Sequence, residues 1–167
     1  MKTKFLGKTN NKSKKKGKNL LDNIPRTKED IKHGFDIWNV YDFMYLDKNM
    51  IPHLSVLEIT IPSNSDFIIE SKSMKLYLNH FYNKSFKTTS EISKIVKKDI
   101  EYKINSKIKV KFIKSFYKEP TVININKLKL KSSPIKKVLK FNGFRSICPV
   151  TSQPDFASIY IYSDKSD

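Results

Sequence analysis

Residues 69–79 (IESKSMKLYLN) decide the fold of this chain, because the backbone is expected to pass from an extended segment into a helix within them. They follow residues 54–61, where Leu57, Ile59 and Ile61 share one face and polar residues the other, which predicts a half-buried strand. Glu70 then stands where the helix begins, a position that the helix macrodipole favours for a carboxylate. This carboxylate is either a helix-start residue or a functional group.

A β-hairpin is predicted immediately before this segment. Residues 35–46 are rich in aromatic and β-branched side chains, which favour a strand. The turn residues 47–49 (DKN) connect this strand to residues 54–61. The chain is therefore expected to form a strand pair before it enters the helix.

A second helix and two further strands are predicted after the segment. Residues 88–91 (TTSE) form a capping box ahead of apolar residues at helical spacing, so an amphipathic helix is expected to end near Lys103. Residues 107–112 alternate lysine with apolar side chains and predict a half-exposed strand, and residues 122–130 predict another. Two strands, two helices and two strands indicate an α+β fold.

A second chemical signal lies in residues 146–155 (SICPVTSQPD), which hold the only cysteine of the chain. A thiolate is a strong nucleophile, and the carboxyl group of Asp155 could deliver a proton to whatever the Cys148 sulfur attacks. The two prolines between them restrict the backbone and would hold the two groups at a constant separation. The alternative is that Cys148 is a small buried apolar residue and Asp155 a turn residue.

Composition restricts the kinds of protein this chain can be. Its 167 residues are 38% hydrophobic, which is enough for a globular body of one or two small domains. A single cysteine excludes an internal disulfide and a multi-cysteine zinc site, so no metal is expected. No stretch is apolar enough to cross a bilayer or to act as a signal peptide, and we expect a cytoplasmic protein without membrane contact.

The net charge of +17 would ordinarily suggest nucleic acid as a partner. Only two of the 33 basic residues are arginines, however, whereas nucleic-acid sites favour arginine for bidentate contacts. Eight lysines fall within the first eighteen residues with no acidic residue among them, and residues 1–23 are expected to form a disordered tail. Nucleic acid is therefore not the expected partner, although a noncatalytic basic RNA-binding protein stays open as an alternative.

Three segments of the chain resemble the QueF family. Its members are NADPH-dependent reductases that convert the nitrile of 7-cyano-7-deazaguanine to an aminomethyl group, on the way to queuosine in transfer RNA. Residues 70–77 fill every position of the family signature, which is Glu-Ser-Lys-Ser, a hydrophobic residue, Lys, Leu or Tyr, and an aromatic residue. Cys148 with residues 151–155 (TSQPD) matches the nucleophile motif, and residues 34–41 (GFDIWNVY) resemble a segment near the start of two-module members. The cysteine follows Glu-Ser-Lys-Ser here, as it does in the two-module members.

The resemblance implies a tunnelling fold (T-fold), an antiparallel sheet with helices on one face. Residues 24–133 would form a first module carrying the Glu-Ser-Lys-Ser motif, and residues 134–167 would begin a second, incomplete module carrying the nucleophile. Modules of this fold pair their sheets side by side into a barrel, so a homo-oligomer, most simply a dimer, is expected.

The resemblance also implies a role for individual residues. Cys148 would attack the nitrile carbon to form a covalent thioimide, Asp155 would supply the proton to nitrogen, and NADPH would be the reductant. The deazaguanine base would be bound by Ile69, Glu70 and Ser71. Ser71 and Lys72 would bind NADPH.

Two features that two-module relatives carry in the second half have no counterpart in this sequence. They are a His-Glu pair that holds the base and an Arg-Gly turn that holds NADPH, and only five residues follow Tyr162. We therefore expect a truncated member of the family, which could be a fragment, a decaying gene product or one half of a split enzyme. Whether this chain is active alone stays open.

Overall fold

The structure is a computed structural model that describes residues 17–27, 33–125, 138–148 and 151–162. It separates into two units, residues 1–115 and residues 116–167. The first unit contains a short 3-10 helix (Gly17–Leu20), β1 (Asn23–Pro25), β2 (Phe35–Leu46), β3 (Pro52–Pro62), β4 (Phe67–Ile69), α1 (Ser71–Asn79), α2 (Thr89–Ile104) and β5 (Lys109–Ile113). The second contains β6 (Val122–Asn124), β7 (Val138–Ile147) and β8 (Pro154–Ile161).

A three-stranded antiparallel sheet in the order β2-β3-β5 forms the centre of the first unit. The inward residues of β3 are the three predicted from the alternation, Leu57, Ile59 and Ile61, and all are buried. Both helices contribute to the same core, with Met74 and Tyr77 from α1 among the buried residues. The pairing of β2 with β3 confirms the predicted hairpin. The α+β class is confirmed because an antiparallel sheet and two helices share one core.

Helix α2 begins as its capping sequence predicts. Thr88 is the N-cap residue, and its side chain accepts a hydrogen bond from the Glu91 amide at 3.3 Å. The Glu91 carboxylate accepts from the Lys87 amide at 3.1 Å, one residue before the position that a capping box predicts. The helix ends at Ile104, one residue beyond the predicted end, and Asn105 follows in the left-handed region with φ 52°.

The register of β2 shifts between Val40 and Phe43, which the sequence did not predict. Trp38 and Val40 pack against the core before the shift, and Phe43 and Tyr45 are buried after it. The two intervening residues are both exposed, as expected where a β-bulge leaves an extra residue unpaired. The irregularity therefore changes which side chains the strand turns toward α1.

Residues 17–25 are folded, although the sequence predicted a disordered tail over residues 1–23. Leu20 and Leu21 are buried, and β1 pairs with β4 in antiparallel register through Asn23 and Ile69. These apolar residues follow the lysine cluster, and their burial gives this part of the segment a place in the core. Residues 1–16 lie outside the described residues.

The second unit contains a sheet in the order β6-β7-β8. Strand β6 was predicted as the fourth strand of the first module, but it pairs in parallel with β7 through Val122 and Val138. The remainder of the predicted strand 122–130, and the module boundary predicted at residue 134, lie outside the described residues. Strands β7 and β8 form an antiparallel hairpin.

Candidate active site

Glu70 lies between β4 and α1, and its carboxylate caps the helix. One oxygen, Oε1, accepts from the Lys72 amide at 2.8 Å, and Oε2 accepts from the Ser73 amide at 2.8 Å. The first amides of a helix have no partner within the helix, so a carboxylate satisfies them well. Glu70 is only 4% exposed. The helix-start role weighed for this residue is therefore present, and the carboxylate is held in one orientation.

The main chain of Glu70 is fixed as firmly as its side chain. Its amide donates to the carbonyl of Asp22 at 2.8 Å, and its carbonyl accepts from the Met74 amide at 2.9 Å. The Ser73 hydroxyl donates to the same Glu70 carbonyl at 2.8 Å and accepts from the Asp22 amide at 2.9 Å. Sequence reasoning missed Asp22 and Ser73, because Asp22 lies 51 residues from its partner and no local pattern connects them.

The other residues predicted for the base and the cofactor surround Glu70. Ile69 is buried in the core, whereas Ser71 is exposed and its hydroxyl lies 3.5 Å from Glu70 Oε1. Lys72 follows Ser71 in the first turn of α1 and is partly buried. Burial leaves Ile69 only its backbone to offer a ligand, while Ser71 offers a hydroxyl at the surface.

A groove of about 550 Å³ opens between α1 and β2, beside Ser71. Its apolar part includes Trp38, Met74 and Leu78, and its polar part includes Asn39, Asp42, Ser71, Lys75 and Asn79. Lys75 is exposed, and its ammonium group forms no hydrogen bond or ion pair within the described part of the chain. An apolar wall with a few polar groups and a volume in this range is typical of a small-molecule site.

Cys148 directly follows β7, and its backbone is hydrogen-bonded to residues that directly precede β8. Its amide donates to the carbonyl of Gln153 at 2.9 Å, and its carbonyl accepts from the Ser152 amide at 2.9 Å. Thr151 accepts from the Gln153 amide at 3.3 Å, and Ser152 adopts a left-handed conformation with φ 57°. Cys148 is partly buried and forms no disulfide. These bonds join the end of β7 to the start of β8.

The ladder of the hairpin ends one residue before Cys148, at the pair Ile147 and Pro154. Ser146 is opposite Asp155, and the backbone bond pairs Cys148 with Gln153, two residues before Asp155. Opposite residues of an antiparallel pair share a face, so this register, if continued by one pair, would make Cys148 and Asp155 diagonal neighbours, which are typically about 7–8 Å apart between Cα atoms. Asp155 is exposed. The strand register supports the pair that the sequence predicted, and the catalytic role of the pair stays a prediction.

Tyr77, the aromatic position of the motif, is completely buried and donates to Asp99 at 2.9 Å. Burial, together with the charge of Asp99 and this hydrogen bond, raises the pKa of Tyr77 far above its ordinary value. His80 caps the C-terminus of α1, and its Nδ1 lies 2.6 Å from the Tyr77 carbonyl. Tyr77 therefore remains protonated, and its hydrogen bond links α1 to α2.

The histidines of the described segments do not combine with other ligands into a metal site. No group of three or more histidine, cysteine or carboxylate side chains suited to a metal occurs among residues 17–27, 33–125, 138–148 and 151–162. His53 is exposed near the start of β3, and its Nε2 lies 3.2 Å from Asp47 Oδ2. Over the same ranges, none of the helices has the length and hydropathy to cross a membrane.

The structure thus shows an α+β protein with two sets of candidate functional residues, one in each unit. The first unit carries a buried glutamate that caps a helix beside a groove, and the second carries a cysteine directly after one strand of a hairpin and an aspartate in the other strand. Such a combination is typical of an enzyme that uses a cysteine nucleophile.

Sequence comparison gives the family. The family model described as "Nitrile reductase, 7-cyano-7-deazaguanine-reductase N-term" matches residues 13–112. The chain is 32% identical over 149 residues to the "NADPH-dependent 7-cyano-7-deazaguanine reductase" of Coxiella burnetii strain RSA 493, covering 78% of this chain and 54% of that protein. A protein of the same name in Buchnera aphidicola is 33% identical, and the match covers 77% of this chain and 57% of that protein. Another in Desulfotalea psychrophila is 32% identical, and the match covers 88% of this chain and 59% of that protein.

The chain therefore belongs to the 7-cyano-7-deazaguanine reductase family, as its motifs indicated. It spans about half the length of the curated relatives it matches.

Proposed function

We propose that this protein takes part in the NADPH-dependent reduction of the nitrile of 7-cyano-7-deazaguanine to an aminomethyl group, a step toward queuosine in transfer RNA. The observation that carries the proposal is the hairpin register, which pairs Ser146 with Asp155 and, continued by one pair, would make Cys148 a diagonal neighbour of Asp155. A nucleophile and a proton donor at that spacing leave room for a small electrophilic group between them.

Each atom of the first step has a source in these two residues. The Cys148 thiolate forms a bond to the nitrile carbon, and one π bond of the nitrile becomes a lone pair on nitrogen. Asp155 in its acid form gives that nitrogen a proton, which leaves a neutral thioimide on Cys148 and a carboxylate at Asp155. No leaving group is released, so the adduct has the mass of the protein plus the whole base.

Glu70 supports the base-binding part of the proposal. Each carboxylate oxygen accepts one backbone amide, and an ionised carboxylate has about four acceptor sites, so both oxygens keep capacity for a ligand. The ring N–H and amino group of a guanine-like edge can donate to one carboxylate in parallel. Glu70 is buried, so the base would enter beside the exposed hydroxyl of Ser71, and Ile69 would offer only backbone atoms.

The residues around the groove fit NADPH, which would supply hydride. Its phosphates need cations and hydroxyl donors, and Ser71, Lys72 and Lys75 offer these groups along α1. Trp38 and Met74 provide an apolar wall in the same groove, suited to a flat ring. Ser71 and Lys72 are the residues to which the motif assigns the cofactor, and Lys75 is the residue that the groove adds.

The finer fold assignment is part of the same proposal. A three-stranded antiparallel sheet with two helices on one face supports a tunnelling-fold module. The other face of this sheet exposes Phe35, Ile37, Met44 and Leu54, which supports pairing with a second copy. We infer a dimer formed through these sheets.

The proposal is tested by following NADPH absorbance and the amine product with the purified chain. Oxidation should require the nitrile, because 7-deazaguanine offers the same base edge without the electrophile. Cys148→Ala should abolish it. Oxidation that persists in Cys148→Ala would reject the assignment of this reaction to Cys148, and absence of nitrile-dependent oxidation would reject its assignment to the chain acting alone.

A further inference from the structure

The hydroxyl of Ser73 stands in for a missing hydrogen bond between β1 and β4. The register pairs Asn23 with Ile69, so Asp22 is opposite Glu70. Two residues opposite each other at a hydrogen-bonded position exchange both amide-to-carbonyl bonds, and the Glu70 amide does donate to Asp22. The reciprocal bond is absent, because the Glu70 carbonyl turns into α1 and accepts from Met74.

Ser73 fills this gap from the first turn of α1. Its hydroxyl accepts the Asp22 amide at 2.9 Å and donates to the Glu70 carbonyl at 2.8 Å, with the Asp22 carbonyl farther away at 3.4 Å. A hydroxyl is the smallest side-chain group that both donates and accepts, so it can relay a hydrogen bond between two backbone groups. The end of β1 is therefore joined to the residue where β4 becomes a helix.

Ser73 also holds the side chain of Glu70. Its own amide donates to Glu70 Oε2 at 2.8 Å, so one residue contacts both the carbonyl and the carboxylate of Glu70. Ser73 is completely buried and Asp22 is 6% exposed, which leaves water little access to replace the hydroxyl. A buried amide without a partner is costly, so the contact constrains the backbone strongly.

We propose that Ser73 is a positioning residue that sets the orientation of the Glu70 carboxylate toward the nucleobase. The inference rests on the proposed function of Glu70 as the base-binding carboxylate. The second serine of Glu-Ser-Lys-Ser then acts through Glu70 and does not touch the ligand. The first serine, Ser71, is exposed and is the one available for ligand contact.

Hydrogen exchange tests the anchor without any ligand. In the wild-type chain the Asp22 amide should exchange as slowly as the Glu70 amide, and rapid exchange at Asp22 would overturn the anchor even if variants fail to fold. Ser73→Ala should accelerate exchange at Asp22, at Lys72 and at position 73 itself. Unchanged exchange at Asp22 and Lys72 in this variant would also overturn it.

Calorimetry with 7-cyano-7-deazaguanine tests the link to the base, with Ser65→Ala as the matched control. Ser65 is a buried serine of the same unit whose hydroxyl donates to the Phe67 carbonyl at 2.9 Å, away from Glu70. Both variants should lose stability, but only Ser73→Ala should weaken binding, by about threefold to tenfold, in the range of one lost neutral hydrogen bond. Equal weakening by Ser65→Ala would mean that Ser73 has only a structural role.

The double variant separates this inference from the proposed function. Adding Ser73→Ala to Glu70→Gln should weaken binding no further, because the serine acts through the carboxylate that is already lost. Full additivity of the two effects would overturn the positioning role. If Glu70→Gln alone leaves binding unchanged, the proposed base-binding function fails instead, while the exchange result still decides whether the anchor exists.

Discussion

At the scale of single residues, Glu70 combines a structural and a chemical role. Its two oxygens cap α1, and the same two oxygens keep the capacity to accept from a ligand. A helix cap and a base-binding carboxylate are therefore compatible in one side chain. The two roles differ in what a substitution removes, which makes them separable by experiment.

Glu70→Gln should weaken binding of 7-cyano-7-deazaguanine by about 1.5–3 kcal/mol, because an amide accepts with only one of its two terminal atoms. This corresponds to roughly tenfold to a hundredfold in Kd, measured by calorimetry. Glu58→Gln is the control, since Glu58 is also buried but pairs with Lys111 at 3.0 Å on β5. Unchanged affinity in Glu70→Gln would leave Glu70 as a helix cap alone.

Asp155→Asn should retain base binding but slow the reduction, because the amide can form hydrogen bonds and cannot serve as an acid. The rate is measured as nitrile-dependent NADPH oxidation under saturating base. Ser158→Ala on the same strand is a suitable control, since its hydroxyl donates to Asn142 at 2.9 Å and lies outside the proposed site. Wild-type turnover by Asp155→Asn would remove this carboxyl group from the mechanism.

Residue types and spacing predicted Glu70, Ser71, Lys72, Cys148 and Asp155 as candidates, because a motif is local in sequence. They could not predict the contact of Ser73 with Asp22, since it depends on which strands pair across 51 positions. Nor could they predict that Lys75 lines a groove with Trp38. That groove forms only when α1 packs beside the irregular strand β2.

At the scale of elements, local signals predicted the sheet and helices of the first unit well. Alternation in β3 and the capping sequence of α2 depend on neighbouring residues alone, and both are present as expected. The bulge in β2 and the parallel pairing of β6 with β7 depend on distant partners. Sequence patterns contain no direct signal for these pairings.

The Thr88 cap gives a prediction at this scale. Thr88→Ala should lower the free energy of unfolding by about 0.5–2 kcal/mol, because the Glu91 amide loses its acceptor. Urea denaturation measures the change, and Thr88→Ser should restore most of the stability. Base affinity should stay at the wild-type value, because the cap lies outside the proposed site. Equal stability of Thr88→Ala and wild type would contradict the role of the cap.

His80 at the end of α1 predicts a dependence of stability on pH. Burial is the largest cause that lowers the pKa of His80 below its ordinary value of 6.5. The unfolded chain therefore binds a proton at this residue before the folded chain does, and stability falls as pH drops below 6.5. His80→Gln should reduce the loss of stability between about pH 7 and pH 5 in urea titrations. An identical loss in both proteins would exclude His80 as the cause.

At the scale of the whole molecule, the outer face of the first sheet is where we expect a second copy of the chain to bind. Ile37 is 58% exposed and Leu54 is 67% exposed, on the face opposite the helices. Exposed apolar area of this kind commonly marks an interface. Ile37→Lys should convert the proposed dimer to a monomer in light scattering, whereas Tyr82→Lys, at an exposed turn residue, should not. A monomeric wild-type chain would contradict the dimer.

The central claim is that Cys148 is a nucleophile toward the nitrile of 7-cyano-7-deazaguanine, and intact-protein mass spectrometry tests it most directly. The chain is incubated with the nitrile in the absence of NADPH, so that a covalent thioimide can accumulate. We predict a mass increase equal to one complete base in the wild-type chain, none in Cys148→Ala and none with 7-deazaguanine. No adduct on the wild-type chain, or an equal adduct on Cys148→Ala, would contradict the account.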